Sequence, residues 1–322
     1  EIGFYRDLAV GAAPDGSESW AHHKLLARGV TIGAPPDPFS VQGQNWSLPA
    51  PNPLACAREG WASLSALYRA NMRHAGMLRI DHAMGLERLF LIPAGAKPAE
   101  GAYLSYPLDD LVGHIALESQ RARCMVIGED LGTVPEGFRD RMTGANIDGM
   151  RVLWFERDGP NVRPPESYPP RSVACVATHD LATLAGWWGG ADIAERLSLG
   201  FLTLARAGEE IARRREDKRG LIAALVAAGL IGSGPSDDAP LTDAMAAAVH
   251  ALIGRAGSIL AHAQFDDLVG EPIQTNLPGT DRERPNWRLK APLDIASAFA
   301  SHRAQAILAA LAKGRVWERP MA

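Results

Sequence analysis

Three short polar clusters close three apolar runs in this chain: Arg79-Ile80-Asp81-His82, Gly128-Glu129-Asp130-Leu131-Gly132 and Thr178-His179-Asp180. Each carries a carboxylate, and together such carboxylates can break an acetal bond. The reaction passes through an oxocarbenium-like state. One carboxylate attacks the anomeric carbon, and one carboxylic acid protonates the leaving oxygen. A third carboxylate can hold sugar hydroxyls and favour the developing positive charge. Arg79 stands two residues before Asp81 and so on the same side of a strand, where its charge would keep Asp81 ionised. The acid needs the opposite treatment, because burial and nearby negative charge keep a carboxyl protonated near neutral pH.

Each cluster alone has an ordinary structural explanation. An Asp-His pair at a strand end can be a cap or a hydrogen-bonding element. Gly-Glu-Asp-Leu-Gly can open a helix, whose dipole carboxylates offset. Thr-His-Asp can cap a helix. Three such clusters at three successive strand ends are better explained by a shared site.

The elements that must position them are legible as apolar runs over 4–10, 77–80, 124–127, 150–155, 173–177 and 263–269. Runs of this length and composition suit strands buried on both faces. Between them lie segments of helical period at 61–75, where Leu64, Leu67, Tyr68 and Met72 share a stripe, at 109–123, and at 292–311. Strands alternating with helices predict a parallel sheet. No glycine-rich dinucleotide loop follows a strand, so the expected fold class is α/β, a (β/α)₈ barrel of the TIM type. Catalytic groups of such a barrel project from the C-terminal strand ends, where the three clusters stand. All three carboxylates would then converge on one cleft. Six runs are fewer than eight, and the simplest account is a barrel whose first strands precede Glu1.

The domain reading is therefore one catalytic barrel over 1–322 with two insertions. Residues 29–60 are rich in proline without a clear period and read as a loop. Residues 190–262 are rich in Ala and Leu with helical spacing, broken into two helical parts by 229–240.

The bulk numbers exclude other classes. Of the 322 residues, 47% are hydrophobic and 22% charged, which allows a sizeable core. A net charge of -4 calls for neither nucleic acid nor an anionic membrane as partner. The basic run at Arg213, Arg214 and Arg215 is interleaved with acidic neighbours and reads as a solvated helix face. Cys56, Cys124 and Cys175 show no CxxC spacing; Cys124 and Cys175 lie in apolar runs and read as buried thiols. With no secretory signal and no membrane-length apolar run, this predicts a cytoplasmic protein without a disulfide scaffold or structural zinc.

Leu78-Arg79-Ile80-Asp81-His82 with Gly85 resembles the nucleophile strand of the amylomaltase family, the 4-α-glucanotransferases of glycoside hydrolase family 77. Gly128-Glu129-Asp130-Leu131-Gly132 is similar to that family's acid/base segment, and Thr178-His179-Asp180 to its third-carboxylate segment. Further segments agree in order along nearly the whole chain. They are Arg6-Asp7-Leu8-Ala9-Val10-Gly11, Gly33-Ala34-Pro35-Pro36-Asp37 with Gly43-Gln44-Asn45-Trp46, and Asn276-Leu277-Pro278-Gly279-Thr280 with Pro285-Asn286-Trp287.

The resemblance implies a retaining transfer of α-1,4-glucan segments from a donor maltodextrin to the 4-hydroxyl of an acceptor glucan or glucose, with no cofactor. It implies Asp81 as nucleophile, Glu129 as acid and then base, and Asp180 on the donor hydroxyls. Arg79, His179 and His82 would support that subsite, Asp7 would line the cleft base, and Gln44 and Trp46 would contact the glucan. Trp46 suits a stacking surface for a sugar ring, and equally a loop residue packed on the barrel. Three rivals accompany this reading: a chain that binds glucan without turning it over, a plain α-glucan hydrolase, and a metal-dependent barrel hydrolase. The last lacks an HxH pair at any strand end and an HExxH motif.

Overall fold

The computed structural model describes residues 3–36, 42–280 and 282–315. Asp37 and Pro38, in the proline-rich stretch, and Glu1 lie outside the described residues. The chain groups into two compact units, Glu1–Met150 and Arg151–Ala322, where the sequence reading takes 1–322 as one domain.

The first unit is built on parallel strands β1 (Phe4–Leu8), β2 (Ala75–Ile80), β3 (Met125–Gly128) and β4 (Ile147–Val152), adjacent in that order. Their registers pair Leu8 with Ile80, Ile80 with Gly128, and Ile127 with Asp148. The polar clusters at 79–82 and 128–132 thus leave neighbouring strands side by side. The helix Ala62–Met72 precedes β2, and Leu108–Ala122 precedes β3. The second helix buries Leu108, Leu111 and Ile115, spaced three and four apart, as an amphipathic stripe requires. Asp109 and Asp110 in its first turn complement its dipole. Glu118, on the same buried face, is paired by Arg69 at 2.8 Å and Arg121 at 2.8 Å. A buried carboxylate without such partners would cost several kcal/mol, on the order of the penalty for an unpaired buried ion.

The described residues within 29–60 include regular elements where a loop is expected. Val30–Ala34 and Gln44–Leu48 are strands of a four-stranded antiparallel sheet completed by Arg88–Pro93 and Ala102–Ser105. Pro53–Arg58 is a helix. Proline does not prevent it because Pro53 occupies the first helical position, where no N–H is needed. The Asn52 side chain caps it, accepting from Leu54 N at 3.0 Å and Ala55 N at 3.1 Å.

In the second unit, β5 (Ser172–Cys175) pairs in parallel with β6 (Leu260–Ala261). Leu153 N donates to Cys175 O at 3.0 Å on the other side of β5. The 190–262 stretch carries a long helix over Leu204–Ala227 and another over Asp243–Gly254, and its end forms β6. The last helical stretch breaks at Ser301 into Ile295–Ala300 and His302–Lys313, and Ser301 caps the second piece. The expected strand at 263–269 is a helix instead, Phe265–Val269, and the strand lies just upstream in β6. Asp266 and Asp267 in its first turn favour a helix N-terminus. Phe265, Leu268 and Val269 recur at three and four, the helical period, which a short run hides.

Cys56, Cys124 and Cys175 are all buried thiols. Among the described residues, no helix is long and apolar enough to cross a membrane.

One close approach yields a test of this packing. A Cβ added to Gly220, within the long helix, would lie 1.9 Å from Pro160 O. A Cβ on Gly113, in the helix Leu108–Ala122, would meet nothing within 4 Å. Gly113→Ala should stabilise by about 0.5–1 kcal/mol through helix propensity. Gly220→Ala should destabilise by about 1–3 kcal/mol through overpacking. Urea midpoints of the two variants check this, and a stabilised Gly220→Ala would show that the contact is not tight.

Candidate active site

The first unit gathers one set of the predicted residues around the ends of β1, β2 and β3. Arg79 is buried, and its guanidinium spans two carboxylates: Nη1 meets Asp7 Oδ1 at 2.7 Å and Nη2 meets Asp81 Oδ1 at 2.8 Å. Burial works against the arginine's charge, but Asp81, Asp7 and Glu129 outweigh it and raise its pKa. The guanidinium is therefore a fixed cation, and Asp81 is held beside it by charge as well as by geometry.

The backbone ladder continues past the strands and locks this geometry. Asp81 N donates to Leu8 O at 2.9 Å, Glu129 N to Ile80 O at 2.9 Å, and Ala83 N to Glu129 O at 2.9 Å. Glu129 accepts two further backbone bonds: His82 N to Oε2 at 2.9 Å and Leu131 N to Oε1 at 2.7 Å. His82 lies in the left-handed region at φ 46, which aims its N–H at that carboxyl.

Glu129 carries the perturbation that an acid needs. Burial first, and the negative charge of Asp81 second, push its pKa up to about 7. Arg79 and the two backbone donors pull the other way and lose. Burial, with Arg88 nearby, drives His82 down to about 4, so its ring is neutral near neutral pH.

Gln44, Trp46 and His82 form a small cluster. Trp46 Nε1 donates to Gln44 Oε1 at 3.0 Å, and the Trp46 ring meets His82 edge-on at 5.2 Å. Trp46 is half-buried and packs against the first unit's core. A cavity of about 280 Å³ borders Asp81 and His82 and extends past Leu8, Leu25 and Tyr68.

The second unit holds His179 and Asp180 beyond the end of β5. His179 Nε2 stands 3.2 Å from Asp180 Oδ2, and both side chains are partly open to solvent. Asn276 Nδ2 donates to Asp180 Oδ1 at 2.6 Å, and Asn276 N donates to His179 O at 3.0 Å. Both oxygens of Asp180 therefore have a fixed neighbour. Trp287 lies against His179 with ring centroids 4.8 Å apart. Asp266 accepts from Thr275 Oγ1 at 3.3 Å; burial raises its pKa, and the nearby His179 lowers it in part.

The sequence reading singled out the carboxylates and Arg79, but gave no role to several residues that lie beside them. Asn276 lay within a quoted segment with no hint that it reaches Asp180. Asp266 was hidden in a run taken for a strand. Asp130, directly after Glu129, is buried and ties the 128–132 turn down. Its Oδ1 accepts from Met150 N at 2.7 Å and its Oδ2 from Arg139 Nε at 2.6 Å. The available signal for Asp130 was its place beside Glu129 in a segment where two acids are adjacent.

A family model described as 4-alpha-glucanotransferase, glycoside hydrolase family 77, matches residues 1–294. A 4-alpha-glucanotransferase of Mycobacterium tuberculosis is 38% identical over 96% of this chain and 44% of its own length. One of Haemophilus influenzae is 34% identical over 98% of this chain and 46% of its own length. The crystal structure of amylomaltase from Corynebacterium glutamicum superposes with a TM-score of 0.88 at 33% identity, covering 95% of this chain and 45% of that one. Amylomaltase from Streptococcus agalactiae, solved in complex with acarbose, superposes at 0.73 and 19% identity over 97% of this chain and 57% of that one, a likeness of fold. The fold class is thus the expected α/β one, of TIM-barrel type, with this chain carrying a portion of the barrel. The chain spans less than half the length of the two curated relatives.

The electrostatics of Glu129 set a pH dependence. Its pKa rises from 4.5 in the unfolded chain to about 7 in the folded one. A raised acid contributes its stability below the unfolded value and loses it as pH rises through the folded one. Stability should therefore fall between about pH 4.5 and about pH 7 on this group's account. Carboxyl ¹³C NMR of glutamate-labelled protein should show one titration near 7, absent in Glu129→Gln. Asp81→Asn should move it down, since the charge that raised it is gone; an unmoved titration would mean the two carboxyls are not coupled.

Proposed function

The chain belongs to the 4-alpha-glucanotransferase family, glycoside hydrolase family 77, and from that premise we propose that it is a retaining transglycosylase of α-1,4-glucans. Its substrates are α-1,4-glucans and maltooligosaccharides. A donor segment is passed to the 4-hydroxyl of an acceptor glucan or glucose. The observation that carries this reading is the contrast between two neighbouring carboxyls. Asp81 is held against the Arg79 guanidinium at 2.8 Å, while Glu129 is buried with its pKa near 7. One is kept as an anion and the other is able to hold a proton at neutral pH, which is what double displacement requires.

In the first step Glu129 gives its proton to the glycosidic oxygen as Asp81 Oδ attacks the anomeric carbon. The C–O bond to the leaving sugar breaks, and a glycosyl ester forms on Asp81. In the second step Glu129, now a carboxylate, takes the proton of the acceptor's 4-hydroxyl. That oxygen attacks the anomeric carbon and the ester breaks, restoring Asp81 and protonated Glu129. Asp180, fixed by Asn276 and next to His179, holds hydroxyls of the donor sugar and favours the positive charge on the ring. Arg79 and Asp7 keep Asp81 in place, and His82, Gln44 and Trp46 line the glucan's path. Transfer prevails over hydrolysis where the acceptor sugar excludes water from the ester.

A second reading is favoured by one observation: the chain spans less than half of its curated relatives. It would bind maltodextrin and leave it unchanged. Incubation with maltotriose separates the readings. Glucose together with maltotetraose and longer chains is the outcome of transfer; glucose and maltose alone would mean hydrolysis; an unchanged substrate would support binding only.

Asp81→Asn should lower turnover by about 10³-fold or more with the circular dichroism spectrum retained. Glu129→Gln should lose about 10²–10⁴-fold on maltotriose, and much less on an α-glucosyl fluoride, whose leaving group needs no proton. Near wild-type transfer by either variant would remove the role assigned to that residue.

A further inference from the structure

We infer that Trp287 is a stacking platform for a pyranose ring of the glucan, placed beside the His179–Asp180 pair. This rests on the proposed function and adds a sugar contact to it. The backbone at Trp287 is in the left-handed region, φ 59. For a bulky L-residue that costs about 1–2 kcal/mol. Burial does not offset the cost, because the residue is 62% exposed. A large aromatic held in a strained turn and mostly open to water gains little for the fold beyond its contact with the His179 ring.

The turn is nevertheless tightly determined from beneath. Asn286 Oδ1 accepts from Leu277 N at 3.1 Å and from Arg284 Nη1 at 2.7 Å. Asn286 Nδ2 donates to Thr280 O at 3.0 Å and Thr280 Oγ1 at 2.8 Å. Arg284 is buried, pairs with Glu195 at 2.8 Å, and donates to the carbonyls of Thr275 and Gln274. Trp287 N donates to Thr275 O at 3.2 Å. A buried guanidinium and a saturated amide thus fix the turn, and its product is an exposed indole of defined position.

That position is chemically specific. His179 lies 4.8 Å away, its ring tilted 54° to the indole, and its Nε2 is 3.2 Å from Asp180 Oδ2. A flat electron-rich face therefore adjoins an imidazole and a carboxylate. A pyranose matches both parts. Its axial C–H groups present a positive, apolar face to the negative face of the indole, and its equatorial hydroxyls reach the polar pair. A purely apolar ligand would make no use of the polar pair, and an anion would be repelled by the Asp180 carboxylate.

The test uses two variants. Trp287→Gly removes the ring and suits φ 59, so the thermal midpoint should equal or exceed that of wild type. Trp287→Phe keeps an aromatic face. For maltoheptaose, KM or Kd should rise about 3- to 10-fold in Trp287→Gly, the scale of one aromatic contact. kcat should change far less, and Trp287→Phe should recover most of the affinity. An unchanged KM in Trp287→Gly while wild type disproportionates maltotriose would overturn the platform and leave the proposed function standing. An equal loss in both variants would assign the effect to the turn and also overturn it. A wild-type protein that neither binds maltoheptaose nor redistributes maltotriose would remove the proposed function, and this inference with it.

Discussion

A guanidinium buried between two carboxylates is the constraint on which the first unit's site depends. Arg79 can be withdrawn from water only because Asp7 and Asp81 stand at hydrogen-bond distance on either side. Removing one partner would leave an undercompensated buried charge, a cost of roughly 3–5 kcal/mol. The parallel register supplies the partners without any loop having to be ordered. Asp7 is paired with Arg79 across β1 and β2, and Asp81 follows on the same side of β2. Strand pairing, and not a flexible segment, therefore sets the position of Asp81. The same ladder sets Glu129, whose N–H continues the β2–β3 bonding past the last paired residues.

The second unit solves a similar problem with different means. Asp180 lies in a turn beyond the paired residues of β5, where its N–H meets Thr178 Oγ1. Its orientation comes from Asn276, far along the chain, and that residue is held in turn by the segment around Asn286 and Arg284. Arg284 plays the part here that Arg79 plays in the first unit: a buried cation whose several bonds determine the shape of surrounding backbone. The left-handed Trp287 at the end of that segment shows that the local structure is set by these polar bonds and not by the preferences of its own residues.

What the sequence made legible follows from the range of the signals involved. Five of the six strand runs were found because each lies in a window where apolar clustering alone decides. The run at 263–269 failed because a short apolar stretch does not distinguish the two periods, and two aspartates at its start tipped it to helix. Among the described residues of 29–60, proline count hid proline position: Pro53 opens a helix, and Val30–Ala34 has a partner in Arg88–Pro93 that no local pattern announces. In the site, Asp81, Glu129 and Asp180 were visible as polar punctuation at strand ends. The Asn276–Asp180 bond and the left-handed turn at Trp287 were not, since both arise from contacts between distant parts of the chain.

Those distant contacts decide how two chemically identical groups come to differ. Asp81 and Glu129 leave adjacent strands, each at the end of an apolar run, and nothing in their residue types separates the proposed acid from the proposed nucleophile. The separation comes from one cation placed unequally. Arg79 bonds Asp81 directly and reaches Glu129 only as a weaker field, while burial and the charge of Asp81 press on Glu129 from the other side. The same anion that is proposed to attack the sugar thus helps its neighbour keep the proton. In the proposed reaction an ester on Asp81 removes its charge, and Glu129 loses one of the two influences that raised it. Its pKa then falls, so the carboxylate form is favoured after it has given its proton away. Charge loss at one group and a change of role at the other are coupled through this arrangement, and a double displacement needs that coupling in the order in which its two steps occur.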